Sequence, residues 1–274
     1  MRFLPLTATA DPLTEVRAPS GPSWTAGPID ADALSDFTAR YGAPDLGPVV
    51  VVIPAYNEEG SIGSVVERIP PTVGGYATSA LVVVDGATDA TAQVAEEHGA
   101  YTCRARAKRG QGAALRLGYK VAVDHGARYI VVVDADGQYD PRQMDTVAAP
   151  IMEGWADLVL GSRRLGHAHV DDRVRYAGVV FFSALISVLT GVRITDSSSG
   201  FKALSAEVAS AVRLDEPQYQ AAELLLETIG RKFKVVEVPV TMRPRSSGKT
   251  KKGPNLLYGA HYARVILSTW WKWR

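Results

Sequence analysis

The stretch RYIVVVDADGQYDP, residues 128–141, decides the fold of this chain. Its first half is a run of β-branched residues, which is typical of a strand buried on both faces. The run ends in Asp134, Asp136 and Asp140, three acids within seven positions. Because Asp140 precedes Pro141, it is predicted to be the N-cap of the next helix. That interpretation leaves Asp134 and Asp136 without a structural task, which makes them candidate functional residues.

Similar β-branched runs recur along the chain, with helical segments between them. The runs are PVVVVIP (48–54), ALVVVD (80–85), DLVLGS (157–162) and KVVEVPV (234–240). The predicted helices cover residues 33–41, 61–69, 91–98, 112–125 and 221–231. Strand–helix alternation at this spacing predicts a three-layer, Rossmann-like α/β fold with a mostly parallel central sheet. Residues 1–47 lack this periodicity apart from the short helix at 33–41, and they are predicted to be a partly irregular extension that is packed loosely on the domain or partly disordered.

The composition permits one large domain and indicates an anionic partner. The chain has 274 residues, of which 46% are hydrophobic, and its one cysteine excludes a disulfide framework. Residues 241–274 hold eight Lys/Arg and no acid, which leaves 22 basic and 29 acidic residues in the rest. A basic end on an acidic body favours a phosphate ligand or a membrane surface. The longest apolar stretch, 177–192, is predicted to be a buried or interfacial helix.

Two of the predicted strands end in acids, in VVVDGATD and VVVDADGQ. Ligands of open parallel sheets bind beyond the carboxyl ends of the strands, so Asp85, Asp134 and Asp136 would meet at one edge. Clustered carboxylates repel one another unless a cation or hydrogen-bond donors compensate. An EF-hand calcium loop is excluded, because Tyr139 and Asp145 stand where it needs Gly and Glu. A Mg²⁺ or Mn²⁺ ion that carries a diphosphate fits the pattern better.

Seven motifs in a fixed order resemble the family 2 glycosyltransferases, most closely their polyprenyl-phosphate (dolichol-phosphate mannose synthase-like) branch. The motifs are VVIPAYNEEGSI (51–62), VVVDGATDAT (82–91), RGQGAALRLGYKVA (109–122), DADGQYDP (134–141), DLVLGSRR (157–164), TDSSSGFKAL (195–204) and VEVPVTMRPRSSGKTKK (236–252). The resemblance implies a GT-A fold over residues 48–252 and an inverting sugar transfer. It also implies a UDP- or GDP-sugar donor and a Mg²⁺ or Mn²⁺ ion.

The resemblance further implies roles for the residues at matching positions. Donor contacts are implied for Pro54, Ala55, Tyr56, Glu58, Asp85, Asp134 and Arg163. Metal binding is implied for Asp136 and Gln138. Catalytic roles are implied for Asp136, Arg163, Arg245 and Lys251, of which the last two match the ends of an R-x-x-G-x-S/T-K segment. Arg175 resembles an arginine on the acceptor side.

Two positions depart from the family pattern. Val84 stands where the family usually has a second acid before Asp85, which puts the usual recognition of the base in doubt. Gln111 stands where the family favours a lysine between two glycines. Arg109 or Lys108 could supply the missing positive charge.

The identity of the acceptor decides whether a general base is needed. A phosphate monoester is already anionic at neutral pH, so transfer to it requires positioning and charge compensation. A sugar hydroxyl would require a carboxylate base. Glu223 and Glu227 are the candidates, because they lie one helical turn apart on one face of a predicted helix.

The C-terminal segment, residues 253–274, is predicted to be a basic amphipathic helix. His261, Arg264, Ser268 and Lys272 recur at helical spacing on an otherwise apolar, Trp-rich segment. This pattern favours a helix at a membrane surface, with a helix docked on the domain or an oligomer contact as alternatives.

The leading interpretation is a peripheral glycosyltransferase on the cytoplasmic face of the cell membrane, which forms a polyprenyl-phosphate sugar. It has no nucleic-acid partner and could form a homo-oligomer. A transferase with a small soluble acceptor and a non-catalytic nucleotide-sugar binding protein remain as alternatives.

Overall fold

The computed structural model describes residues 26–168, 173–244 and 255–274. Its helices are α1 (Pro28–Tyr41), α2 (Ile62–Glu67), α3 (Thr91–Glu97), α4 (Gln111–Asp124), α5 (Met144–Met152), α6 (Arg173–Thr190), α7 (Ala206–Ala211), α8 (Gln220–Gly230) and α9 (Asn255–Trp271). Its strands are β1 (Val49–Ala55), β2 (Thr72–Val73), β3 (Tyr76–Asp85), β4 (Tyr101–Ala105), β5 (Tyr129–Val132), β6 (Leu158–Ala168), β7 (Lys202–Ser205) and β8 (Val235–Met242). A short 3₁₀ helix, Pro141–Gln143, precedes α5, and Asp140 caps it by accepting from the Arg142 amide, as predicted.

All eight strands form one sheet in the order β2-β3-β1-β5-β7-β6-β8, and β4 also pairs with β3. The pairs β1–β3, β1–β5, β3–β4 and β6–β8 are parallel. The strand β7 is antiparallel to both neighbours, and β2 is antiparallel to β3. The predicted α/β fold with a mostly parallel sheet is therefore confirmed. Since β1, β3 and β5 run in the same direction, their carboxyl ends share one edge.

The central strand β1 is apolar on both faces because helices cover both sides of the sheet. Every residue of β1 is buried. Val50 and Val52 join one hydrophobic cluster, whereas Val49, Val51 and Ile53 join the cluster on the opposite face. Burial of each such side chain contributes about 1.5–3 kcal/mol, so β1 is firmly anchored in the core.

The N-terminal helix α1 packs more tightly than predicted. It begins at Pro28 rather than near residue 33. Ala33 and Phe37 are buried in the same cluster as Leu46 and the sheet. Because a well-packed aromatic side chain fixes its helix to the core, residues 28–41 belong to the domain and not to a loose extension. Residues 1–25 lie outside the described part of the chain.

The C-terminal helix α9 is docked on the domain. Its buried face consists of Tyr262, Val265, Ile266 and Thr269. The predicted polar stripe of His261, Arg264, Ser268 and Lys272 lies on the exposed side, as expected for an amphipathic helix. Arg264 pairs with Glu216 at 2.7 Å and Lys272 with Asp215 at 3.5 Å. Among the described residues, no helix has the length and apolarity that crossing a membrane would require.

Candidate functional site

A cavity of about 290 Å³ opens at the edge where the carboxyl ends of β1, β3 and β5 meet. It is lined by every described residue for which the resemblance implies donor contact, metal binding or catalysis, namely Pro54, Ala55, Tyr56, Glu58, Asp85, Asp134, Asp136, Gln138 and Arg163. Arg245 and Lys251 lie outside the described residues, and so does the side chain of Arg175. The sheet topology therefore brings together side chains that are far apart in sequence, since they come from β1, β3 and β6 or from the segments that follow β1 and β5.

Asp85 is engaged mainly by the protein itself. Its carboxylate accepts from the backbone amides of Arg109, at 2.8 Å, and Gly110, at 2.7 Å. The Arg109 side chain adds a third bond, from Nε at 3.2 Å. These bonds hold its carboxylate on the turn at residues 108–110, while Asp85 also lines the cavity, so its contact with the base or the ribose stays a prediction. The acid therefore holds the turn that forms one wall of the cavity.

Lys108 is the cation that this turn presents to the cavity. Its Nζ lies 3.8 Å from the centroid of the Tyr56 ring, and both side chains line the cavity. Arg109 instead turns towards Asp85 and Asp30 and is mostly buried. Of the two candidates for the charge that the family has at the position of Gln111, the structure thus favours Lys108. A cation over an aromatic face is also a stable arrangement in the absence of ligand.

The carboxylate of Asp134 is positioned by neighbouring residues of the protein. It accepts from Nε2 of Gln111 at 2.8 Å. A Cβ atom at Gly200 would lie 1.8 Å from the Asp134 carboxylate, so only glycine leaves room for it. Lys202 is fully buried on the neighbouring strand; burial lowers its pKa to about 8, while the charge of Asp134 acts in the opposite direction. Asp134 therefore has compensating partners even where no ligand is bound.

Asp136 and Gln138 form the part of the cavity that fits a metal ion. Oδ1 of Asp136 accepts from the backbone N–H of Gln138 at 3.1 Å. Nε2 of Gln138 donates to the Arg243 carbonyl at 3.4 Å, which leaves the amide oxygen as its group for a cation. Within the described ranges there is no cluster of three or more His, Cys, Asp or Glu side chains that could hold a metal. One carboxylate and one amide oxygen suit a Mg²⁺-like ion that takes its other ligands from phosphates and water.

Arg163 is fixed by a carboxylate that the sequence did not single out. Its Nε and Nη2 donate to the two oxygens of the buried Asp196, at 2.6 and 2.7 Å, and Nη2 also reaches Ser198 at 2.8 Å. The loop that carries Asp196 is held in turn by Glu237, which accepts from the amides of Thr195 and Asp196. A bidentate pair sets the plane of the guanidinium and directs Nη1 towards Met242. The signal for Asp196 was its place in the motif TDSSSGFKAL.

The candidate general bases are not at the cavity. Glu223 is buried and accepts from the amides of Asp215, at 2.9 Å, and Glu216, at 3.1 Å. Glu227 pairs with Arg231 at 3.1 Å. Neither lines the cavity, so neither is placed to be the base that a sugar-hydroxyl acceptor would require. The two residues do share a helix face, but that face is turned inward.

Glu223 is expected to impose a pH dependence on stability. Burial raises the pKa of this carboxyl from 4.5 to about 6, against the backbone hydrogen bonds that lower it. Between those two values the folded chain retains a proton that the unfolded chain has lost. Raising the pH through this window therefore lowers the free energy of unfolding, by about 2 kcal/mol in total.

Urea unfolding of the wild type and of Glu223→Gln at several pH values between 4.5 and 7 checks this expectation. The free energy of unfolding of the wild type should fall relative to that of the variant as the pH rises. A difference between the two proteins that stays constant across this range would contradict it.

An aromatic wall faces the acidic part of the cavity. It consists of Tyr219, Tyr258 and Tyr262, with ring centroids 4.7 Å apart for the first two. Tyr219 has a φ of 67°, an uncommon value for an aromatic residue, and such conformations cluster at ligand sites. Sequence reasoning missed this wall because its residues come from α8's start and from α9, and single tyrosines carry no local motif. The C-terminal helix thus contributes directly to the site.

The comparisons with known proteins agree with this geometry. The model of the family "Glycosyl transferase family 2" matches residues 50–212. A dolichyl-phosphate hexose transferase of Haloferax volcanii is 32% identical, over 75% of this chain and 87% of that protein. An undecaprenyl-phosphate mannosyltransferase of Micrococcus luteus is 26% identical, over 74% of this chain and 86% of that protein.

Solved structures support the fold. Glucosyl-3-phosphoglycerate synthase from Mycobacterium tuberculosis, in complex with Mn²⁺, UDP and its product, superposes with a TM-score of 0.66. The two proteins are 22% identical, and the match covers 90% of this chain and 85% of that chain. The fold is therefore that of the GT-A glycosyltransferases, and the chain belongs to glycosyltransferase family 2.

Proposed function

We propose that the protein is a metal-dependent, inverting glycosyltransferase that moves a sugar from a nucleotide-diphosphate sugar to a polyprenyl phosphate. The observation that carries the proposal is that Tyr56 and Lys108, which would contact the nucleotide, line the same cavity as Asp136, Gln138 and Arg163. Such a cavity combines groups that can contact a nucleobase and a diphosphate with oxygen ligands for Mg²⁺ or Mn²⁺. UDP and GDP donors both fit this chemistry.

The roles of the residues follow from their positions. Asp136 and Gln138 would hold the metal ion together with the diphosphate, and the bound ion would neutralise charge on the departing nucleoside diphosphate. Asp134, compensated by Gln111 and Lys202, would keep that corner rigid. Arg163 would face the phosphates from the opposite wall.

The basic segment after β8 completes the proposed mechanism. We assign Arg245 and Lys251, together with Arg175, to the acceptor phosphate, which attacks the anomeric carbon in line with the leaving group. Neither Glu223 nor Glu227 lines the cavity, and an anionic phosphate acceptor does not need a base.

An exposed apolar surface on α6 and α9 supports a lipid acceptor. It is defined by Phe181, Val188, Leu267 and Trp271, all of them exposed. Phe181 and Val188 lie seven residues apart, hence on one face of α6. The two helices pack together, since the rings of Phe182 and Tyr262 lie 4.9 Å apart. Exposed apolar residues on two packed helices, one of which also contributes Tyr258 and Tyr262 to the cavity, suit a protein that lies on the inner face of the cell membrane and takes its acceptor from there.

Substitution of this surface is expected to release the protein from vesicles. Phe181→Gln and Trp271→Gln remove the large side chains that are 63% and 70% exposed, so folding should not suffer. Loss of each should weaken binding to vesicles by about tenfold, because burial of such a side chain is worth about 1.5–3 kcal/mol. Flotation with vesicles of phosphatidylcholine and phosphatidylglycerol measures this. The control is Trp155→Gln, a residue 57% exposed that lies outside both helices.

Product analysis separates this proposal from its alternatives. UDP- and GDP-sugars are offered with Mn²⁺ and with either a polyprenyl phosphate or phosphoglyceric acid, which is bound by the Mycobacterium tuberculosis synthase. Glycosylated lipid is the expected product. Glycosylated phosphoglyceric acid alone would show a soluble acceptor. Binding of the sugar nucleotide without transfer to any acceptor would instead favour a non-catalytic binding protein.

A further inference from the structure

We propose that Asp30, on the N-terminal helix α1, is a positioning residue of the donor site. The inference rests on the proposed function, in which the donor nucleotide binds beside Lys108 and Tyr56. Helix α1 (Pro28–Tyr41) lies before residue 50, where the match to the family model begins. The family pattern therefore assigns no role to this helix.

Asp30 and Asp85 share one guanidinium group. Nη1 of Arg109 donates to Oδ1 of Asp30, and Nε of the same residue lies 3.2 Å from Oδ1 of Asp85. Arg116 adds a longer contact to Asp30, at 4.0 Å. Both acids are almost fully buried and come from different elements, α1 and β3. Arg109 is thus a bridge between the N-terminal helix and the end of a central strand.

The hydrogen-bonding capacity of the Arg109 guanidinium is not fully used. Among the described residues, Nη2 of Arg109 is buried and has no hydrogen-bond partner. The orientation of the guanidinium therefore depends on Asp30 and Asp85 alone. If Asp30 loses its charge, the guanidinium can rotate to satisfy its remaining donors, because a buried unpaired donor costs free energy.

A rotation of the Arg109 side chain would shift the backbone of residues 108–110 and, with it, a wall of the cavity. The amides of Arg109 and Gly110 are the donors that bind Asp85, and Lys108 is the preceding residue. The turn also packs tightly on Gly86, because a Cβ atom there would clash with the backbone nitrogen of Lys108. The place of Lys108 over Tyr56 therefore follows from the position of Arg109. Asp30 acts on the donor through Arg109 and not by contact.

A purely structural role for α1 makes a different prediction. Phe37 and Ala33 already anchor the helix in the core. If anchoring were all that mattered, any substitution that loosens α1 would lower stability and leave donor binding intact. The ion pair and the core contact can be changed separately, so the two roles are distinguishable.

The test compares Asp30→Asn with two controls on the same helix. Asp30→Asn is expected to raise the KM for the sugar nucleotide about tenfold while kcat stays nearly unchanged, as for other residues that orient a binding group. Asp32→Asn removes an exposed contact with Arg106, 3.3 Å long, and should leave KM unchanged. Phe37→Leu should lower the melting temperature without a change in KM. Asp30→Glu, which keeps the charge, should restore part of the affinity.

A second variant guards against a failure of Asp30→Asn to fold. Arg109→Lys keeps a positive charge but cannot bridge both acids, and it should raise KM to a similar extent. An equal rise of KM in Asp30→Asn and Phe37→Leu would overturn the inference, since helix docking would then explain the effect. So would an unchanged KM in Asp30→Asn with active wild type, and the proposed function would survive that result. Absence of UDP and GDP binding to the wild type, measured by calorimetry, would overturn both.

Discussion

Asp136→Asn is expected to lower the rate of sugar transfer by about 100-fold to 1000-fold while the protein stays folded. The substitution keeps the shape of the side chain and the hydrogen bond from the Gln138 amide. It removes the one negative charge that the proposed metal ligands Asp136 and Gln138 bring to the cation. Loss of charge stabilisation at a leaving group typically costs two to three orders of magnitude, about 2.7–4 kcal/mol.

The matched control for this prediction is Asp140→Asn in the same loop. Asp140 is as buried as Asp136, but it binds Arg142 at 2.7 Å and caps the short helix before α5. Its loss should lower stability by about 1 kcal/mol and leave transfer within about threefold of the wild type.

Initial rates over a series of Mn²⁺ concentrations, with circular dichroism to verify folding, measure both variants. The wild type should lose its activity when the metal is chelated. The residual activity of Asp136→Asn should be insensitive to the chelator. Retention by Asp136→Asn of more than a tenth of the wild-type rate, with an unchanged response to Mn²⁺, would refute the metal assignment.

The central strands and the edge of the site were predictable from the sequence because both depend on local pattern. A β-branched run such as residues 49–55 has few alternatives to a buried strand, and parallel strands bring their ends to one edge. The strand β7 was not predictable. It has only four residues and begins with the charged Lys202, so that neither length nor polarity marks it as central. Its insertion between β5 and β6 is a tertiary effect that local pattern does not encode.

The roles of single polar residues were harder to predict, because a side chain's partner is set by distant parts of the chain. The sequence did not indicate that three donors from residues 109 and 110 engage Asp85. Glu223 was a candidate base and is instead buried, where it accepts from the Asp215 backbone amide at 2.9 Å. Asp196 pairs with Arg163 from 33 positions away. The roles proposed for Pro54, Glu58 and the other cavity residues remain predictions.

Asp196→Ala is expected to strongly destabilise the cavity wall that contains Arg163. It deletes the fully buried carboxylate that holds Arg163 through two bonds. Removal of one partner of a buried ion pair typically costs about 3–5 kcal/mol, because the other charge stays in a medium of low polarity. Asp36→Ala is the matched control, since its pair with Arg40 lies at the surface and should contribute less than about 1 kcal/mol.

The double variant Asp196→Leu with Arg163→Met separates stability from function. Replacing both charges by apolar groups of similar size removes the unpaired charge, so urea unfolding should return to within about 1 kcal/mol of the wild type. Transfer should nevertheless stay at least about 100-fold reduced, because the guanidinium that we propose to contact the phosphates is then missing. A double variant that regains both stability and transfer would mean that Arg163 only supports the fold. A double variant as unstable as Asp196→Ala would mean that the loop held by Glu237, and not the ion pair, carries the stability of this wall.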